Sequence, residues 1–254
     1  MKPTVVRQVA DVVAEQIEQL VVDGVLKVGQ TLPSERRMCE KLGVSRSALR
    51  EGLQLLRARG IIDTRHGSGS TVASLTPAAD ASPLMHLFAA QPRTLYDLLE
   101  VRALLEGEAA RLAAERGTEA DFVLLGRRYQ DMLAAHAQMA SVGHQDHAQR
   151  DHAFHLAIVE ASHNPVLVHT LQSLNELMLS SVYASVNNLY HRPEQLKLIQ
   201  RQHARVYHAV IQRLPAVAQR AAREHIQSLR DGFREIELQE QRLDRATLRL
   251  QGWV

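Results

Sequence analysis

Apolar residues recur at helical spacing along most of this 254-residue chain, and the phase of that spacing breaks at a few glycines and prolines. From about Val5 to Val22, the positions Val9, Val12, Val13, Gln16, Ile17 and Leu20 form a stripe that predicts a first helix. Ser34 opens a second helix as its N-cap, and Leu42-Gly43 closes it, because glycine enters the left-handed C-terminal conformation without a Cβ penalty. Ser45 then caps a third helix running to Arg59. On it Ala48, Leu49, Gly52, Leu55 and Leu56 share one side, while Arg46, Ser47, Arg50, Gln54 and Arg57 share the other. Beyond Gly60, the strand-like pairs Ile61-Ile62 and Thr71-Val72 flank Arg65-His66-Gly67-Ser68-Gly69, which predicts a hairpin with a basic, glycine-rich tip.

A capped helix, a glycine turn, a serine-capped basic helix and a basic hairpin within one block predict a winged helix-turn-helix that lays its third helix in the major groove of DNA. The arginine spacing alone is weak evidence, since amphipathic helices with wet arginines are usually ordinary surface helices. It is the conjunction that favours DNA.

From Thr94 onward the pattern is almost continuously helical, with breaks near Gly117, Gly143, Asn164-Pro165, Arg192-Pro193 and Leu214-Pro215. Thr118 with Asp121 has capping-box spacing, and Asn164 before Pro165 reads as a cap before a first-turn proline. About six helices packed as an antiparallel bundle are expected. The fold class is therefore mainly α: an N-terminal winged helix-turn-helix with a small β-wing, linked to a C-terminal antiparallel all-helical bundle. The expected division is 1–74 for the DNA-binding domain, 75–93 for a proline-containing linker and hinge, 94–240 for the bundle and 241–254 for a tail.

Three bundle helices carry polar groups on their apolar faces. Asp151 and His155 are an i, i+4 pair beside Ala148, Ile158, Val159 and Ser162. His203 sits in the stripe Leu196, Ile199, Val206, Val210, and His225 in the stripe Ala218, Ala222, Leu229, Ile236. Any one inward histidine is more often a hydrogen-bonded core residue than a ligand, but three helices aiming imidazole or carboxylate inward favour a divalent metal site. Sequence leaves His144, His147, His152, His163 and His208 open as other members, with helical phase disfavouring His152 and His208. Arg102 lies in the stripe Leu95, Leu98, Leu99, Leu105, Ala109, where its partner is either a ligand carboxylate or Glu106 four residues on.

Composition narrows the compartment and the partners. No apolar run is long enough for a membrane span, no signal-peptide core is present, and the single cysteine, Cys39, reads as packing, so a cytoplasmic protein is expected. The formal net charge is only +2. Residues 1–74 hold 11 Lys and Arg against 8 Asp and Glu, net +3, leaving 19 against 20 for the remainder. The positive excess thus belongs to the proposed DNA-reading half, whereas twelve of thirteen histidines follow residue 75.

The stretches LPSER, LGVSR, SALREGL and HGSG resemble the winged helix of the GntR superfamily of bacterial transcription regulators. The resemblance implies DNA contacts from Arg36, Ser45, Arg46, Ser47, Arg50, His66 and Gly67. VRALLEGEAARLAA, DHAFHLAIVEASHNPVL, QHARVYHAV and AAREHIQSL resemble the all-helical effector-binding domain of the FadR-type branch. That implies metal coordination by Asp151, His155, His203 and His225, with zinc first and nickel, manganese or iron also fitting. It further implies an effector carboxylate at Arg102, Asn164 being read as a cap. SPLMHLFAAQPRTLYDLLEVRALLEGE is most similar to activators of glycolate-utilisation genes in that branch. A homodimer on operator DNA, responding to a small hydroxy-carboxylate such as glycolate, with no membrane and no catalysis, is the expectation. Three rivals are a repressor responding to lactate, pyruvate or another carboxylate, a regulator whose four polar residues bind an organic ligand directly without metal, and a metal-dependent enzyme, which lacks an obvious general base because Glu160, the nearest carboxylate, lies on a different helix face.

Overall fold

The computed structural model describes residues 8–65, 69–73, 93–137, 144–175 and 192–250. The chain divides into two compact units, residues 1–78 and 79–254.

In the first unit α1 (Val9–Val22), α2 (Glu35–Leu42) and α3 (Arg46–Ala58) precede a two-stranded antiparallel sheet, β1 (Ile62–Arg65) and β2 (Gly69–Val72). The strands pair Ile62 with Val72 and Thr64 with Ser70, and Thr31 adds one bridge to Thr71. The caps fall where the sequence places them. The Ser34 hydroxyl accepts from the Arg37 amide, Gly43 is left-handed at φ 66°, and Ser45 accepts from the Ala48 amide at 3.3 Å. The core comprises Val13, Ile17, Val21, Leu26, Leu32, Met38, Leu49, Leu53, Leu56, Ile62 and Val72, with Cys39 partly buried against it.

The phase of α1 differs from the predicted stripe. Ala10, Val13, Ala14, Ile17 and Val21 are buried, whereas Val9, Val12 and Gln16 are exposed. The reason is the partner helix. Gly52 of α3 lies against α1 so closely that an added Cβ would stand 2.7 Å from Val13 Cγ1 and 3.1 Å from the Ala10 carbonyl oxygen. Small residues on α1 therefore face α3, and apolarity alone misjudged which side is inner. Leu53, absent from the predicted stripe of α3, is likewise buried.

The second unit contains α4 (Arg93–Arg116), α5 (Glu119–Ala137), α6 (His144–Glu160), α7 (165–175), α8 (Pro193–Ile211) and α9 (Pro215–Leu250). These are six helices among the described residues. The linker stretch around Pro77 to Pro92 lies outside them, as do Gly143 and residues 251–254. Thr118 and Asp121 form the reciprocal cap: the carboxylate accepts from the Thr118 amide at 2.8 Å and the Thr118 hydroxyl accepts from the Asp121 amide at 3.3 Å. Asn164 Oδ1 accepts from the Leu167 amide at 3.2 Å, so Asn164 is the cap of α7. Residues 241–250, expected as tail, are the exposed last turns of α9.

Helix α4 runs through the interior, packing along α9 and against α6 and α8. One apolar cluster, built on Leu125, Met132, Phe154, Val206, Val210 and Ala218, lies to one side of α4's middle. A second holds Leu99, Ile199, Ile226, Phe233 and Ile236. The inward polar side chains stand on the helix segments that join these clusters.

Candidate metal and effector site and DNA-reading face

On the first unit, Arg46, Ser47 and Arg50 project from the exposed side of α3, and Ser45 sits at its N-cap with its hydroxyl 3.1 Å from that of Ser47. Arg36 on α2 is also exposed. Two of these guanidinium groups already hold carboxylates. Arg50 Nε donates to Glu35 at 2.9 Å, and Arg36 donates to Glu40 at 3.2 Å. All four side chains are well solvated, and such pairs are worth about 0–1 kcal/mol, so a phosphate or a guanine edge competes readily for either arginine. Arg57 Nε donates to the Thr64 hydroxyl at 3.1 Å, and Thr64 meets Ser70 at 2.8 Å, tying the wing strands to α3. His66 and Gly67 lie outside the described residues.

In the second unit three imidazoles from three helices converge. His155 of α6, His203 of α8 and His225 of α9 are all buried, with His203 fully enclosed. His203 Nε2 lies 3.2 Å from His155 Nε2 and 3.1 Å from His225 Nε2. These three form the mutually close group, and Asp151, one turn before His155, lies beside it: its Oδ1 is 3.4 Å from His203 Nε2 and its Oδ2 is 3.9 Å from His155 Nε2. Phe154, fully buried, lies edge-on to both His155 and His203.

Those spacings suit a small cation. Around a tetrahedral ion with bonds of 2.0–2.1 Å to nitrogen, neighbouring ligand atoms stand about 3.3 Å apart, which is the scale of the separations from His203 Nε2 to His155, His225 and Asp151. The donor set of three imidazoles and one carboxylate is borderline-soft and suits zinc and its transition-metal neighbours over calcium or magnesium. The fold thus brings together the three predicted histidines, with Asp151 beside them. Of the alternatives, His163 is on the surface against Asp121 at 2.9 Å, His208 is exposed, and His152 is half-buried beside the group. The side chains of His144 and His147 lie outside the described residues.

Two members of the site were not singled out from the sequence. Glu106 of α4 is buried, places Oε2 3.0 Å from His155 Nδ1, and takes Nε of Arg102 on Oε1 at 2.8 Å. Gln202 of α8 places Oε1 3.1 Å from His225 Nδ1. Burial opposes the charge on Glu106, but Arg102 and then His155 override it and hold its carboxyl down at about 2. Burial likewise opposes charge on His155, and Glu106 beside it raises the pKa above the ordinary value. His225 is pushed well below that value, first by burial and then by the neighbouring His203 and His155. Arg102 is thus buried, as its stripe predicts, and is paired with Glu106 four residues on.

Among the described residues no helix is long and apolar enough to cross a membrane. Residues 9–72 match the model of the bacterial regulatory proteins of the gntR family, and residues 97–228 match the FCD domain. The chain is 63% identical over 245 residues to the Glc operon transcriptional activator of Escherichia coli K12, covering 96% of each chain. It is 32% identical to the HTH-type transcriptional regulator LutR of Bacillus subtilis 168, over 84% of this chain and 95% of that one. In three dimensions it resembles a Streptococcus agalactiae GntR protein with a TM-score of 0.51 and 24% identity, over 87% and 99% of the two chains. A winged helix followed by an all-helical domain, matched over almost its whole length by a transcription regulator, shows that this chain is a transcription regulator belonging to the gntR family of bacterial regulatory proteins, with an FCD effector domain.

Proposed function

We propose that this protein is a cytoplasmic, homodimeric activator of glycolate-utilisation genes that senses a small hydroxy-carboxylate, glycolate first, at a divalent metal in the helical domain. The observation that carries the metal half is the buried His203 Nε2, which stands 3.2 Å from His155 Nε2, 3.1 Å from His225 Nε2 and 3.4 Å from Asp151 Oδ1. Asp151, His155, His203 and His225 would hold the ion, zinc first. An ion held there would supply Lewis acidity toward the hydroxyl and carboxylate oxygens of the effector. The regulatory half rests on the 63% relative, whose name assigns it activation of the Glc operon.

The chain's own residues define the rest. Arg102 gives a buried guanidinium for the effector carboxylate, in exchange for or shared with Glu106. Arg36, Ser45, Arg46, Ser47, Arg50, His66 and Gly67 face operator DNA, the helix arginines reading base edges and the others anchoring phosphates. The effector alters transcription only if it binds one arrangement of the domains more tightly than the other, because equal affinity shifts no equilibrium.

The deciding experiment is calorimetry of glycolate against metal-loaded protein purified without a nickel tag, beside its operator complex with and without glycolate. Saturable binding that weakens in His203→Ala and a changed operator complex are expected. No bound metal, or glycolate indifferent to both measurements while L-lactate or pyruvate acts, overturns the assignment.

A further inference from the structure

The two contacts on the far side of the imidazoles decide what the cluster presents to its centre. Glu106 offers His155 Nδ1 a carboxylate oxygen at 3.0 Å, which only accepts, so Nδ1 must carry the proton. Gln202 turns its carbonyl oxygen to His225 Nδ1 at 3.1 Å, with the same consequence. In each neutral ring the other nitrogen, Nε2, then bears a lone pair. Both lone pairs point at His203 Nε2, at 3.2 and 3.1 Å. That atom holds at most one proton and can satisfy only one of them as a hydrogen bond. The other contact sets two lone pairs face to face in a buried setting, an arrangement that costs energy unless a cation lies between them. A self-sufficient core of hydrogen-bonded histidines would not be built this way.

We propose that Glu106 and Gln202 are positioning residues that lock His155 and His225 into the Nδ1–H tautomer, so that their Nε2 donors are assembled for a cation before it arrives. Arg102 belongs to the same device, because its Nε donates to Glu106 Oε1 and keeps Oε2 turned to His155. Through Arg102 and Glu106, the group offered to the effector carboxylate is joined to a metal-facing ring. The inference rests on the metal reading for its purpose, but the tautomers exist in the metal-free protein and are measured there.

Protein with 15N-labelled histidine, stripped of metal, gives the tautomer of each ring from long-range 1H–15N correlations, and chelator competition gives zinc affinity. The wild type is expected to show Nδ1–H rings at His155 and His225. Gln202→Leu leaves no charge unpaired, so it should fold; it is expected to release His225 into mixed tautomers and weaken zinc binding about 10- to 100-fold. Gln202→Glu, which restores an acceptor, is expected to recover the Nδ1–H ring and most of the affinity. Glu106→Gln keeps an acceptor for His155 and is expected to retain its tautomer. An Nε2–H ring at His225 in the wild type, or zinc binding by Gln202→Leu as tight as the wild type's, overturns the proposal. Wild-type protein that takes up no zinc sinks the metal reading, and the tautomers then decide the positioning proposal by themselves.

Discussion

Arg46 and Arg50 are the α3 residues proposed to supply base readout. Both are exposed, and Arg50 is held by Glu35, a solvated pair that DNA displaces at little cost. Replacing either arginine with alanine is expected to cost about 1–3 kcal/mol of operator binding and to relax preference at one base position. Fluorescence anisotropy on operator variants checks this. A uniform loss across all sequences, with a shallower salt dependence, makes them phosphate anchors instead. At this scale the sequence was a good guide to residues whose role is set by their own helix. Ser34, Gly43, Ser45 and Asn164 cap where local chemistry says they should. His203 and His225 betray themselves by interrupting apolar stripes. Glu106 does not, because an i, i+4 arginine already accounts for it, and its second bond to His155 spans 49 residues that no local pattern connects. Gln202 is hidden for a similar reason: its partner, His225, belongs to another helix.

Helix packing and helix ends can be tested separately. Gly52 lets α1 and α3 approach so closely that a methyl group there meets the branched carbons of Val13 and the Ala10 carbonyl. Gly52→Ala gains helix propensity but must push rigid neighbours apart, and overpacking of this kind costs about 1–3 kcal/mol. Chemical denaturation followed by circular dichroism should show a lower midpoint; an unchanged or higher one means the helices shift freely. This same close approach is why the inner side of α1 was misread. Two alanines outrank two valines on the buried face because shape, set by Gly52, matters there more than hydrophobicity. At the start of α5, Asp121 accepts from Thr118 and pairs with His163 of the α6–α7 turn. Burial resists the Asp121 charge, but Thr118 and then His163 outweigh it and lower the pKa. A carboxyl depressed in the folded state contributes stability above its unfolded pKa, near 3.9, and loses it as pH falls through the lower folded value. Asp121→Asn should therefore be less stable at neutral pH and lose less on acidification below about pH 4. Parallel stability curves for the two proteins in that range would remove Asp121 from the account.

Across the whole molecule, the division into residues 1–78 and 79–254 separates the residues proposed to read DNA from those proposed to hold metal and effector, since each set lies within one unit. Both halves were legible as fold classes because capping and stripe patterns are local, whereas the coupling of two units is not a local pattern. The metal reading makes a spatial prediction nonetheless. A ligand that binds only the native state adds RT ln(1 + [L]/Kd) to its stability, about 2.7 kcal/mol at a hundredfold excess over Kd. The proposed ligand atoms come from α6, α8 and α9, and Glu106 joins α4 to them through His155. Zinc should therefore slow amide hydrogen exchange around Leu99, Phe154, Val206 and Ile226, where the opening events that expose these helices also break the site. Amides around Ile17, Leu49 and Leu56, in a core that shares no residue with the site, should exchange as before. Protection that rises equally in both units would show that metal alone couples them and that the effector is not needed to carry the signal. Protection that rises in neither, at saturating zinc, would place the metal elsewhere or nowhere. The expected pattern, confined to the helical unit, leaves coupling to the effector: only a second addition, of glycolate, should then change exchange in α3.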